Sequence, residues 1–331
     1  MNPRVAVVGA SGNVGRVMLR LLRERAFPAR EIVAFASARS AGSEVEGHVV
    51  QELSQEVELE GFDIALLSAG AGVSREWAPR FVEAGATVID NSSAFRREPH
   101  IPLVVSEVNP HVLDGYRGLI ANPNCSTMQM MVALAPIHRA VGIERLVIAT
   151  YQSVSGTGKD AIDELDAQAH ASLHGMEMPR PEVYPEPIAF NVIGAAGSFG
   201  EGDDHTDEER KMMFETRKIL EDESIGVAVT CVRVPVRVGH SEAINVQTRE
   251  PLSAEEARAL LRAAPGVALE DVPTPLRSED RDEVFVGRIR GDESHPRALS
   301  MWIVADNLRK GAATNAVQIA ELLVHERAAV A

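Results

Sequence analysis

At 331 residues the chain exceeds the usual size of one domain, so two are expected, and a 45% hydrophobic content supplies two cores. Its formal charge of −15, from 33 Lys and Arg against 48 Asp and Glu, argues against nucleic-acid binding and requires that cations for any anionic substrate be placed locally. Two cysteines give no disulfide framework and no zinc spacing, no apolar run reaches the ~18 residues of a membrane span, and residues 5–8 are too short for a secretory signal. A cytoplasmic protein with no nucleic-acid or membrane partner is the expectation.

Arg4-Val5-Ala6-Val7-Val8 reads as a buried strand. Gly9-Ala10-Ser11-Gly12-Asn13-Val14-Gly15 follows, and then residues 16–25 with helical spacing at Val17, Leu21 and Leu22. Glycines in a strand-to-helix turn permit tight bending and close backbone approach, and the helix N-terminus receives a pyrophosphate, so this stretch points to a bound dinucleotide. The second strand, over 31–36, runs into Ser37-Ala38-Arg39-Ser40. An acidic residue there would hold a ribose 2′-hydroxyl; a cation between serines suits a 2′-phosphate instead, which points to NADP. Further strands read over 62–68, ending in small residues, and over 87–90, ending in Asn91-Ser92-Ser93-Ala94-Phe95-Arg96. The alternation of strands and helices through residue 122 predicts a doubly wound parallel sheet.

Asn122-Pro123-Asn124-Cys125-Ser126-Thr127 then delivers a loop into an apolar run with helical spacing over 128–135. A cysteine at a helix start meets unpaired N–H groups and the positive dipole end, which favour thiolate, and this is a natural place for a nucleophile. A small buried residue beside a helix cap accounts equally well for that stretch alone. Beyond it, a strand over 143–151 leads to Gln152-Ser153-Val154-Ser155-Gly156-Thr157-Gly158-Lys159, which lacks the first glycine of a phosphate loop. A helix is expected over 158–173, where His170 and His174 share a face but have no metal-site partner between them, so no metal is expected. Residues 175–187 hold four prolines and read as an irregular excursion packed against a partner.

Thr206-Asp207-Glu208-Glu209 opens a helix to about residue 222, with a cap and an acidic first turn; taken alone, Glu208 and Lys211 form an ordinary ion pair three residues apart. β-Rich runs over 225–236, 241–248, 284–290 and 299–305, with few intervening helices, predict a mixed or antiparallel second sheet. A closing amphipathic helix over 309–327 is expected to return to the first domain.

The glycine turn, the Asn122–Thr127 segment, Tyr151-Gln152-Ser153-Val154-Ser155-Gly156, and Cys231-Val232-Arg233-Val234-Pro235-Val236 through His240 together resemble the bacterial aspartate-β-semialdehyde dehydrogenases, in order and from residue 4 to about 325. The resemblance implies a Rossmann-type domain over 1–122, completed by a C-terminal helix over 306–331. It implies a catalytic and dimerisation domain over 123–305 of the α+β type found in glyceraldehyde-3-phosphate dehydrogenase. The implied reaction is reversible, NADP-dependent reduction of L-aspartyl-4-phosphate to L-aspartate-4-semialdehyde and inorganic phosphate, serving lysine, methionine, threonine and diaminopimelate synthesis.

By the same resemblance Cys125 is the nucleophile that carries a thioester, and His240 is the acid–base. Gln152 orients the substrate, Arg233 takes its α-carboxylate and Glu208 its α-ammonium. Arg96, Lys211 and Asn124 bind phosphate. Gly9, Ser11, Gly12, Asn13, Val14, Arg39 and Ser40 hold the adenine half of NADP, with Ser155, Gly156 and Asn307 near the nicotinamide half. A homodimer is implied, with a tetramer as the other possibility. Two alternatives are set apart: a reductase of another acyl phosphate or acyl-CoA, for which the paired signs of Arg233, Glu208 and Lys211 have no use, and a non-enzymic NADP sensor, against which Cys125 and His240 argue.

Overall fold

The computed structural model describes residues 2–330, the side chains of 327–330 excepted. The chain divides into two compact units, Met1–Asn124 with Ala312–Ala331, and Cys125–Gly311.

The first unit opens with β1 (Arg4–Val8), α1 (Asn13–Glu24) and β2 (Glu31–Ala36), followed by three two-residue strands, β3 (Glu44–Val45), β4 (His48–Val49) and β5 (Gln51–Glu52). It continues through β6 (Ile64–Leu67), α2 (Ala71–Glu83), β7 (Thr87–Asp90) and β8 (Leu119–Ala121). The main sheet has the order β5-β2-β1-β6-β7-β8, and every pairing in it is parallel. Val5 to Val8 and Ile64 to Leu67 are almost completely buried, as strands covered on both faces must be. The sheet is therefore the doubly wound one that the sequence predicts. Its chain direction switches between β1 and β6, so the loops leaving their carboxyl ends, Gly9–Gly12 and Ser68–Gly70, flank the crevice where such sheets bind ligands.

The second unit begins with α3 (Cys125–Val141) and β9 (Ile143–Gln152), then α4 (Lys159–Leu173) and α5 (Asp207–Leu220). β10 (Gly226–Arg233), β11 (His240–Thr248), α6 (Ala254–Ala263), β12 (Val267–Leu269), the short α7 (Pro275–Ser278), β13 (Val284–Gly291) and β14 (Ala298–Ala305) complete it. The sheet order is β10-β9-β11-β14-β13-β12, with β9–β10 and β12–β13 parallel and the rest antiparallel: a mixed sheet, as expected. α3 packs across this sheet and is buried nearly all round, from Ser126 to Ala135. Residues 175–187 contain no helix or strand, and Val183 and Tyr184 pack on a core cluster of Val154, Ala161, Leu165, Ile188 and Ala189 of the same chain.

A π-helical turn, Arg309–Ala313, leads into α8 (Thr314–Val330), which packs on α1 in the first unit, where the Arg25 fork grips Glu321 at 2.8 and 2.7 Å. α6 has no counterpart in the sequence reading. Its apolar stripe is only Ala257 and Leu261, too short a repeat to stand out.

The cap foreseen at Thr206 is a full capping box. The Thr206 hydroxyl accepts the Glu209 N–H at 3.3 Å, and Glu209 Oε2 accepts the Thr206 N–H at 2.9 Å. Glu209 Oε1 also accepts the Cys231 N–H at 3.0 Å and so pins α5 to β10. Thr206→Ala is expected to lower the unfolding free energy by about 1 kcal/mol, with Thr206→Ser nearly neutral. Urea denaturation of the three proteins measures this, and equal stability of the alanine variant would contradict the role of the cap.

Candidate active site

Cys125 is the first residue of α3 and half-buried. Gly311, from the π-helical turn, backs it: a Cβ added there would lie 2.9 Å from the cysteine Cβ and 3.5 Å from that of Asn307. Only a glycine allows that approach.

The next residue, Ser126, receives a hydrogen bond from Gln152 Nε2 at 3.0 Å. The same amide donates to Glu208 Oε1 at 3.2 Å, and Glu208 Oε2 takes Lys211 Nζ at 3.3 Å. Glu208 is 9% exposed, so the pair that looked like a solvated surface bridge sits at the edge of the core. Lys211 reaches Asp207 as well. Burial lowers the Lys211 pKa, but Glu208 and Asp207 outweigh it and the net shift is upward, so the ammonium stays charged.

Ser153, one residue on, joins the other two groups. Its N–H donates to His240 Nδ1 at 3.0 Å, and its carbonyl accepts Arg233 Nη1 at 2.6 Å. The Ser153 and Ser155 hydroxyls and the Gly239 N–H all reach Asn307 Oδ1, at 3.0, 3.1 and 2.8 Å, and Asn307 Nδ2 donates to Ser155 Oγ. Asn307 is thus a buried strut beneath the imidazole. Burial and then the charge of Arg233 hold the His240 pKa well below 6.5, while the Gly239 carbonyl opposes them. A neutral ring whose Nδ1 accepts an N–H carries its own proton on Nε2. That Nε2 and Arg233 Nε have no hydrogen-bond partner. The imidazole and the guanidinium both approach Gly156, where an added Cβ would lie 3.2 Å from His240 Nε2 and 3.5 Å from Arg233 Nη1. The second unit therefore gathers Cys125, Gln152, Ser155, Gly156, Glu208, Lys211, Arg233, His240 and Asn307 in one connected network.

Asn124, Arg96 and the glycine turn belong to the first unit. Gly9 has φ +84°, and a Cβ there would meet Ser68 O at 2.4 Å; one on Gly15 would meet Gly9 O at 2.1 Å. Gly12 is the N-cap of α1, which has no side-chain cap and no acidic residue in its first turn. Ser11, Asn13 and Val14 surround this open helix end, a cradle suited to a pyrophosphate. Arg39 and Ser40 lie in a short 3-10 turn after β2, with Arg39 exposed and, among the described residues, in no ion pair. Arg96 is buried and donates to Asn91 O at 2.9 Å. Asn122 donates to Asn91 Oδ1 at 2.6 Å and accepts from Asn315 of α8 at 2.6 Å, which fixes the loop three residues before the cysteine. Gly311, Ser153 and Asn315 carry no chemical signature of their own and are recognisable only once the fold is known.

His170 and His174 stack at 4.2 Å on the exposed side of α4, and among the described residues no group of three or more His, Cys, Asp or Glu could hold a metal ion. No helix among them is long and apolar enough to cross a membrane.

Residues 4–116 match the family model described as semialdehyde dehydrogenase, NAD binding domain, and residues 134–310 match semialdehyde dehydrogenase, dimerisation domain. Fold and site thus define a two-domain semialdehyde dehydrogenase with a Rossmann-type nucleotide-binding sheet. The aspartate-semialdehyde dehydrogenase of Aquifex aeolicus is 53% identical over 338 residues, covering 98% of this chain and 99% of its own. The crystal structure of aspartate semialdehyde dehydrogenase II complexed with ASA from Vibrio cholerae has a TM-score of 0.94 at 48% identity, covering 98% of this chain and 99% of that one. The Candida albicans aspartate semialdehyde dehydrogenase with NADP has a TM-score of 0.77 at 27% identity, covering 99% of each. The chain belongs to the aspartate-semialdehyde dehydrogenase family.

The buried imidazole has a consequence for stability. Below pH 6.5 the unfolded chain binds a proton at residue 240 that the folded chain refuses, so stability falls as pH falls from about 6.5 toward the folded pKa. Against His240→Asn, wild-type stability is expected to drop by about 1.4 kcal/mol per pH unit in that window. Denaturant titrations of both proteins between pH 5 and 7 test this. A difference independent of pH would mean that the imidazole has the same pKa in the folded and unfolded chains.

Proposed function

We propose that the chain catalyses the reversible, NADP-dependent reduction of L-aspartyl-4-phosphate to L-aspartate-4-semialdehyde and phosphate, through a thioester on Cys125. The observation that carries this reading is the bonded network of the second unit. In it a cysteine heads a helix, beside a carboxylate, an arginine fork and a neutral imidazole whose Nε2 is uncommitted.

In the reductive direction the Cys125 thiolate attacks the acyl carbon. The new C–S bond forms as the bond to the phosphate oxygen breaks. A dinucleotide held at the N-terminus of α1 would supply the hydride that reduces the thioester carbon. As negative charge gathers on the carbonyl oxygen, the His240 Nε2–H donates to it, a preorganised donor in a dry setting. The oxyanion then collapses, the C–S bond breaks and the thiolate returns. Arg233, with Nε uncommitted, offers an edge to the α-carboxylate. Glu208 takes the α-ammonium, and Gln152 orients the acyl group from its position beside Ser126. Arg96, Lys211 and Asn124 are the phosphate ligands in this reading.

The uncapped N-terminus of α1 suits the pyrophosphate of the dinucleotide, and exposed Arg39 suits a 2′-phosphate. The dimerisation domain and the exposed Val147 and Tyr151 on one face of β9 support a homodimer. The product is a precursor for lysine, methionine, threonine and diaminopimelate synthesis.

Phosphate-dependent NADP reduction with aspartate semialdehyde is the direct assay. Cys125→Ala is expected to abolish it while NADP binding, read by calorimetry, is retained. Turnover by the folded alanine variant would remove the thioester. Arg39→Ala is expected to raise the KM for NADP about tenfold or more, the loss of a charge-assisted phosphate contact, with little change for NAD. Equal effects on the two cofactors would sink the 2′-phosphate assignment.

A further inference from the structure

Glu242 lies two residues beyond His240 on β11, on the face that α3 covers. It is completely buried, and neither carboxyl oxygen makes a hydrogen bond. A buried, unpaired carboxylate is too costly to hold, and such a group stays protonated. Burial drives its pKa well above the ordinary value, and the nearby Gln129 amide opposes the rise without meeting either oxygen at bonding geometry.

Gln129 is one helical turn beyond Cys125 and also completely buried. Its Nε2 donates to the His240 carbonyl at 3.3 Å, while its Oε1 has no donor. A buried acid therefore lies beside an amide whose oxygen has no donor. The two stand on the elements that carry the imidazole and the thiol.

We propose that Glu242 is a positioning residue for the Cys125–His240 pair: as an uncharged acid it donates its O–H to Gln129 Oε1 and ties β11 to α3. With the Gln129-to-His240 bond, the contact fixes how far along the strand the helix sits. This rests on the thioester reading above, since the pair matters for turnover only if Cys125 and His240 react together.

Three variants test it. Glu242→Gln keeps a donor for Gln129 Oε1 and is expected to retain kcat. Glu242→Leu fills the volume without a donor. A displacement of about 1 Å between reacting groups costs about 100-fold, so kcat should fall on that order. The KM for the semialdehyde should stay nearly constant, because Arg233 and Glu208 are untouched. The infrared difference spectrum of wild type minus Glu242→Gln should show the carbonyl band of a protonated carboxyl at neutral pH, and Gln129→Leu should shift that band.

Absence of the band would mean an ionised Glu242 and overturn the proposal. So would wild-type kcat in a folded Glu242→Leu, or equal damage from the glutamine and leucine variants at similar Tm. Where the leucine variant does not fold, the band and the glutamine variant decide. Activity in Cys125→Ala would instead remove the thioester reading and leave the infrared result standing, so the two failures are distinguishable.

Discussion

The peptide groups of Ser153 hold the two polar side chains on which the second unit's site depends. Its N–H fixes the His240 tautomer, and its carbonyl fixes the Arg233 fork. Backbone groups neither titrate nor rotate away, so imidazole and guanidinium are oriented together by one turn of chain. That turn is placed by the register of β9, where Gln152 stands opposite Arg233 on β10 and Tyr151 opposite Ser241 on β11. Slipping β9 by one residue would turn Gln152 to the opposite face and cut its bonds to Ser126 and Glu208. The alternation of buried and exposed residues along β9, with Leu146, Ile148, Thr150 and Gln152 inside and Val147 and Tyr151 outside, is what forbids the slip. Ordinary strand patterning in an unremarkable stretch thus sets the geometry of a reactive site.

Much of the frame was legible because its signals are local. Gly9 needs a positive φ, Gly15 needs close approach, and both lie between a buried strand and a helical repeat; that combination reads from one dimension. The cysteine's place at a helix start was legible for the same reason. Glu208 and Lys211 show what is not. Their spacing reveals the ion pair, but spacing alone reads as a solvated face, and only the packing of α5 against α3 and β10 makes the pair a buried one. The amide of Asn307 meets Ser153, Ser155 and Gly239 under the imidazole, a bracing that its residue type does not announce. The prolines of 175–187 signal irregular backbone, and the residues that anchor it, Val183 and Tyr184 on the cluster that includes Val154 and Ala189, emerge only from the packing. Gly311 and Ser153 act through tertiary approach and backbone atoms, which residue type does not encode.

The two cysteines show how position, not residue type, assigns chemistry. Cys231 is completely buried between β9 and α5, and burial, reinforced by Glu208, drives its thiol far above the usual range. Its neighbour is the Met212 sulfur at 3.6 Å. Such a thiol is inert packing. Cys125 sits half-buried as the first residue of α3, where the helix dipole favours a thiolate. The same burial that raises the Cys231 thiol lowers the pKa of His240 and raises that of Glu242. Lys211 keeps its charge despite burial because Glu208 and Asp207 stand beside it. A chain of net −15 thus places these cations one by one, Lys211 against carboxylates and Arg233 and Arg96 against backbone carbonyls, so that each local positive charge is held in a fixed position within a negative overall field.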